Sequence, residues 1–261
     1  MELEDWLGRE VIINPSLDWG DRQACFGDEF TILGLPVDGT FATEIVVPVY
    51  QLHDKPKHLN WQEAAALPLA GLTAYRALFS QGGLQKGETI LITVIGGGVA
   101  TFLLQFAVAA GADVWVNSSS QAKIDRAISM GAKGGFLYTD ESWPKQMLDA
   151  AGSPSLIVDS AAGPTYDTLI DLVQMGGRIV NFGATLGPPD KLEMRKVFWK
   201  QLRLQGSTMG SPSDFAAMLE FTAGNDIKPM IEASYPLEEG NTAIEQMEVS
   251  PQFGKYLLEI S

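Results

Sequence analysis

One cysteine and two histidines are all this 261-residue chain has of those residue types. A lone Cys25 forms no intrachain disulfide and supports no cysteine-built metal cage, so no metal is expected; this fits a reducing compartment and a cytoplasmic location. Basic residues are scarce too: 18 Lys and Arg stand against 32 Asp and Glu, a formal net charge of −14. Binding a nucleic-acid backbone needs basic surface, so no nucleic-acid partner is expected. No apolar run approaches the ~20 residues needed to span a bilayer. No charged-then-apolar leader precedes the fold, so no membrane partner is expected either. Internal repeats and low-complexity tracts are absent. The chain is 46% hydrophobic and 19% charged, a globular composition with room for a sizeable core. Residues 1–50 carry ten acids and two bases, a net of −8, which reads as a well-solvated surface.

The stretch from Thr89 to Asn117 organises the rest. An apolar run, Ile90 to Ile95, enters three glycines; a helical segment from Val99 to Ala110 stops at Gly111; a second apolar run, Val114 to Val116, ends at Asn117. This is a strand, a glycine turn, a helix and a strand. Such a unit points the free N–H groups and positive dipole end of the helix at the C-terminal end of the first strand, where a phosphate is the usual occupant. On the pattern G-x-G-x-x-G the three positions are Ile95, Gly97 and Ala100. Gly97 is where backbone approaches a pyrophosphate, Ala100 is small enough for helix–strand packing, and Gly96 makes the turn that Ile95 cannot. The amides of Gly97, Gly98 and Val99 are thus candidates to hold the diphosphate of a nicotinamide dinucleotide. A glycine turn with no ligand fits the same pattern.

Elsewhere, residues 1–50 read as short strands and turns: Val11 to Ile13, Phe30 to Leu33, and an alternating stretch from Phe41 to Val49. His53 and His58 sit in 51–59 with Pro56 and two lysines, which reads as an exposed linker rather than a metal or acid–base pair. Asn60 caps a helix with Glu63 returning the bond; that helix is disturbed at Pro68, resumes to Phe79 and closes at Gly82-Gly83. From Ser120 to Thr222, helices and short apolar strands alternate, which predicts a parallel, doubly wound α/β sheet. Within it, 192–201 is a helix whose Arg195, Lys196 and Lys200, with Arg203 nearby, read as a solvated basic face. The last segment returns to strand character at 231–235 and 255–260, so both chain ends are expected to build one β-rich unit.

An NAD-preferring site wants a carboxylate about twenty residues past the loop, to bond the ribose 2′-hydroxyl. Here that count reaches Asn117, followed by Ser118, Ser119 and Ser120, and Lys123 lies one helical turn further. Nothing there repels a 2′-phosphate, and Lys123 supplies positive charge, either for a ligand or as an exposed helix lysine. NADP, as NADPH, is the expected cofactor.

Taken together, L-P-L-A-G-L-T-A-Y (67–75), L-Q-K-G-E-T-I-L-I (84–92), I-G-G-G-V-A (95–100), G-G-R-I-V-N-F-G (176–183), G-S-T-M-G-S (206–211) and F-G-K (253–255) resemble the medium-chain dehydrogenase/reductase superfamily, in its zinc-independent, quinone-oxidoreductase-like (alcohol dehydrogenase-like) branch. The resemblance implies a Rossmann domain, here 56–224, beside an incomplete GroES-like catalytic domain formed by 1–55 and a C-terminal return at 225–261. It implies Ser119, Lys123 and Tyr138 around the 2′-phosphate, and Thr73, Ala184 and Met209 around the nicotinamide. Zinc-dependent relatives carry a cysteine where Leu69 stands, and a leucine cannot ligate Zn²⁺. Relatives usually have a small residue at Val94, and they open with strands that precede the segment G-R-E-V-I-I-N-P (8–15); the pocket residues those strands carry are missing from this sequence. The expected function is an NADPH oxidoreductase, acting as a homodimer on a quinone, enone or similar carbonyl. The alternatives are a relative that binds dinucleotide without turnover, or a subunit whose β domain a partner chain completes.

Overall fold

The computed structural model describes residues 3–249 and 252–260. In chain order the strands are β1 (Val11–Ile13), β2 (Ser16–Leu17), β3 (Thr31–Leu33), β4 (Pro36–Val37), β5 (Leu52–Asp54), β6 (Thr89–Ile92), β7 (Asp113–Ser118), β8 (Gly134–Leu137), β9 (Leu156–Asp159), β10 (Arg178–Asn181), β11 (Arg203–Gly206), β12 (Ile231–Pro236) and β13 (Lys255–Glu259). The α-helices are α1 (Trp61–Ala66), α2 (Pro68–Tyr75), α3 (Gly98–Ala109), α4 (Gln121–Ser129), α5 (Trp143–Ala151), α6 (Tyr166–Leu172), α7 (Met194–Trp199), α8 (Pro212–Gly224) and α9 (Gly240–Glu248). By packing, the chain divides into one unit of 73–208 and one of 1–72 with 209–261.

The unit of 73–208 is built on a six-stranded parallel sheet in the order β11-β10-β9-β6-β7-β8, the doubly wound arrangement expected from the alternation. Its central strands are apolar on both faces because helices cover both. Leu91, Ile157 and Ile179 pack with Trp143, Met147, Tyr166 and Ile170 in one core, while Ile90, Ile92, Val114, Val116, Val158 and Val180 are also fully buried. Gly135 lets α4 sit close, since a Cβ there would lie 2.7 Å from Ile124 Cγ2.

The amino ends of these strands are tied by one cation. Arg178, at the start of β10, donates to Gly82 O, to Gly83 O (3.2 Å) and to both carboxylate oxygens of Glu88 (2.8 and 2.5 Å). Gly82 follows a π-helical turn, Arg76–Gln81, so the guanidinium satisfies carbonyls that the helix end leaves open. The Arg178 hydrogen bond is the main reason the Glu88 carboxyl is held down at about 2, against the opposing effect of burial.

α7 docks by charge as well. Lys196 Nζ bonds Asp167 (2.7 Å) and Asp171 (2.8 Å), and Lys200 Nζ bonds the carbonyls of Ile170 and Asp171 at the end of α6. The expectation of a solvated basic face is therefore corrected for these two lysines: their sequence spacing is that of a surface helix, but acids and open carbonyls on α6 take the charge. Leu192, Met194, Phe198 and Trp199 are exposed instead.

The unit holding both chain ends contains smaller sheets: β1 with β5, β2-β3-β4, and β12 with β13. Capping boxes begin two of its helices, Asn60–Glu63 on α1 as read from the sequence and Ser211–Asp214 on α8. Two expectations fail here. The alternating stretch 41–49 forms no strand; Phe41 is 70% and Val46 99% exposed, and alternation stabilises a strand only where a face is buried and an edge is offered. Nor is 51–59 an exposed linker. Leu52–Asp54 pairs antiparallel with β1, and the His53 ring lies 4.8 Å from Phe215, where burial lowers its pKa against the Asp54 charge. His58 Nε2 lies 3.1 Å from the carbonyl of Ile227.

Candidate functional site

The glycine turn leaves β6 at its carboxyl end. Thr93 is buried; Val94 adopts φ +52 and Gly96 φ +129; Gly97 is the N-cap of α3 at φ −70. A β-branched residue at positive φ is strained and must be held. Asn117 holds it: its Oδ1 accepts the Val94 N–H at 2.8 Å and its carbonyl accepts the Ile95 N–H at 2.9 Å. Asn117 is 4% exposed. Asn117, where the count of twenty residues ends, turns its side-chain oxygen back to the loop backbone. The departure at Val94 and the residue at Asn117 are thus one device.

Gly97 itself is exposed, no side chain caps it, and a Cβ placed on it would meet nothing within 4 Å. The amino end of a 12-residue helix thus opens on free space. The aliphatic chain of Lys123, from α4, lies across Gly96; a Cβ on that glycine would sit 2.8 Å from Lys123 Cδ and 3.2 Å from Nζ. Helix dipole and ammonium add at one mouth, which suits an anion of diphosphate size. The residues present therefore fit a dinucleotide.

Ser119 is exposed just past β7, and Tyr138 is 37% exposed, its N–H on the Ser118 carbonyl at 3.0 Å. Ser119, Lys123 and Tyr138 thus belong to the β7 and β8 side of the turn. Ala184 is exposed beyond β10 and accepts the Gly187 N–H at 3.0 Å. Thr73 is buried on α2, 7% exposed. Met209 belongs to the other unit, where it is buried at φ +47.

One polar group was not singled out in the sequence. Asp159 ends β9 at 1% exposure. Its Oδ1 accepts the Thr93 hydroxyl at 2.6 Å, and its Oδ2 accepts the Ala162 N–H at 2.7 Å and the Asn181 amide at 2.9 Å. Asn181 accepts the Tyr166 hydroxyl at 2.6 Å. Burial, with the Asp159 charge behind it, pushes that phenol up to about 12. The sequence signal is a polar residue closing each apolar run, and the pattern G-x-G-x-x-G does not read it.

A family model described as "Zinc-binding dehydrogenase" matches residues 98–224. The "Zinc-type alcohol dehydrogenase-like protein YogA" of Leptosphaeria maculans is 36% identical over 97% of this chain and 75% of its own length. The chain belongs to the alcohol dehydrogenase-like proteins of the medium-chain dehydrogenase/reductase superfamily. This medium-chain dehydrogenase/reductase is an oxidoreductase of that type. A solved structure titled "NAD-dependent alcohol dehydrogenase" superposes with TM-score 0.91 at 33% identity, over 97% of this chain and 76% of that one. A "2-octenoyl-CoA carboxylase reductase", solved with NADP and 2-octenoyl-CoA, superposes at 0.86 with 25% identity, over 95% of this chain and 62% of that one.

The family name speaks of zinc. Leu69 offers no donor atom, and among the described residues no group of three or more His, Cys, Asp or Glu side chains could hold a metal ion. The described residues therefore offer no donor set that fits a zinc centre. No described helix is long and apolar enough to cross a membrane.

Proposed function

We propose that this chain is a zinc-independent, NADPH-dependent reductase acting on a quinone, enone or similar carbonyl. The observation that carries it is the uncapped, open amino end of α3 at Gly97, with Lys123 lying across Gly96 and no carboxylate among residues 117–120 at the end of β7. In this reading the amides of Gly97, Gly98 and Val99 hold the diphosphate. Ser119, Lys123 and Tyr138 take the 2′-phosphate, while Thr73 and Ala184 orient the nicotinamide end. The cofactor supplies the hydride; the protein supplies binding, orientation and the electrostatic setting. The octenoyl-CoA enzyme solved with NADP supports both the cofactor and an activated alkene as acceptor, whereas the NAD-dependent neighbour points to NADH. Titration of the protein with each nucleotide decides between them: tighter NADH binding overturns the NADPH assignment. NADPH oxidation across a panel of quinones and enones then tests the substrate class.

We also infer a homodimer in the cytoplasm. β11 is an edge strand with one side of its ladder open, and Phe198 (65% exposed) and Trp199 (75%) stand out from α7 in the same unit. Light scattering on the native chain and on Trp199→Asp checks this; a monomer in both overturns it. A second reading, dinucleotide binding without turnover or in a partner-completed subunit, is favoured by one observation: residues 41–48 alternate like a strand yet join no sheet. Nucleotide binding with no turnover on any panel member would select it.

A further inference from the structure

Two residues of the 73–208 unit that are not glycine adopt positive φ beside the carboxyl ends of β6 and β9: Val94 at +52 and Ala162 at +51. Such conformations persist only where surrounding structure over-determines them. Both stand next to hydrogen bonds of one carboxylate. Asp159 Oδ1 takes the hydroxyl of Thr93, the residue before Val94. Its Oδ2 takes the N–H of Ala162 itself and the side-chain amide of Asn181 at the end of β10. β6 and β9 are the neighbouring strands from which the sheet winds in opposite directions, and ligands of such sheets sit in the crevice beyond that point.

We propose that Asp159 is a positioning residue for the dinucleotide: it sets the glycine turn after β6 and the turn after β9 in their ligand-ready conformations. This rests on the dinucleotide reading above. If the strand end served stability alone, an apolar residue would pack there as it does along the rest of β9, which is fully buried Leu-Ile-Val. A buried carboxylate is costly unless every donor around it is aimed. Here its donors come from three strand ends, so rigidity in one wall of the crevice is passed to the other.

The test uses the whole chain and reads nucleotide dissociation constants alongside thermal midpoints. Thr93→Val keeps the volume and removes the hydroxyl; Thr93→Ser keeps the hydroxyl; Asp159→Asn alters the hub; Ile157→Val is a control in the middle of β9. NADPH binding by the native chain is measured first. Loss of one charged hydrogen bond should weaken NADPH about tenfold in Thr93→Val and more in Asp159→Asn, with Thr93→Ser within about twofold of native. Ile157→Val should lower the midpoint and leave affinity unchanged. Equal affinities of Thr93→Val and Ile157→Val at matched midpoints overturn the positioning role while leaving the dinucleotide reading intact. A native chain that binds neither NADPH nor NADH overturns both. Should Asp159→Asn fail to fold, the Thr93 pair alone decides.

Discussion

The two ends of the six-stranded sheet are fastened by opposite means. At the amino ends Arg178 pulls Glu88 and two helix-end carbonyls together, through a side chain 9% exposed. At the carboxyl ends Asp159 and Asn117 accept from loop backbone and from short polar side chains, and two residues that are not glycine are kept at positive φ. The first arrangement closes a gap and leaves nothing open. The second leaves Gly97 facing free space. One end is locked by an ion pair; the other keeps an open turn, at some conformational cost.

That contrast can be broken from either side. The largest effect is expected for Arg178→Ala, which strands the Glu88 carboxylate in a half-closed site. Removing one partner of a buried pair costs about 3–5 kcal/mol, so urea unfolding should show a loss of that order, with nucleotide affinity of the folded fraction unchanged. Gly97→Val should do the reverse. At φ −70 the backbone accepts a side chain, so the unfolding midpoint stays near native, but the added atoms fill the space where a phosphate would come, and NADPH binding should fall by about a hundredfold. Lys123→Ala sharpens the comparison within the carboxyl end: NADPH should weaken about tenfold against NADH, since one charge-assisted contact is lost, as the ratio of the two dissociation constants would show.

A smaller effect is expected with pH. The folded Glu88 carboxyl lies at about 2, below its ordinary 4.5, so its contribution to stability is full above the unfolded value and is lost as pH falls through the folded one. Glu88→Gln should flatten that part of the acid-unfolding profile between roughly pH 5 and 2, and an unchanged profile would show that the pair contributes nothing there.

The sheet was legible because its signals are local. Apolar runs bounded by glycine, with helical periods between them, specify a parallel doubly wound sheet without knowledge of partners. The capping box at Asn60 is equally local, since both of its bonds lie within four residues. What sequence reading missed is what depends on distant groups. Phe41–Val49 has strand alternation, but a strand needs a neighbour, and alternation cannot say whether one is there. His53 looked like part of a linker because Pro56 and the lysines dominate its surroundings; its pairing with Ile12 lies 41 positions away. Asn117 was placed correctly at the end of β7, but only the fold shows its side chain turned back to Val94. Asp159 closes a short apolar strand, and nothing local marks it out. Its partners Thr93 and Asn181 lie 66 and 22 positions away, beyond any motif window.

Helix α7 reverses the usual order of a surface helix. Lys196 and Lys200 attach it to α6, while Phe198 and Trp199 face outward. Rising ionic strength therefore acts on it twice. Counterions screen the lysine contacts that seat the helix, and salting-out anions such as sulfate strengthen contacts among the aromatic rings it presents. Self-association through this face should grow with ammonium sulfate, the opposite of what a charge-led contact on so acidic a chain would do, and sedimentation velocity across a salt series would separate the two.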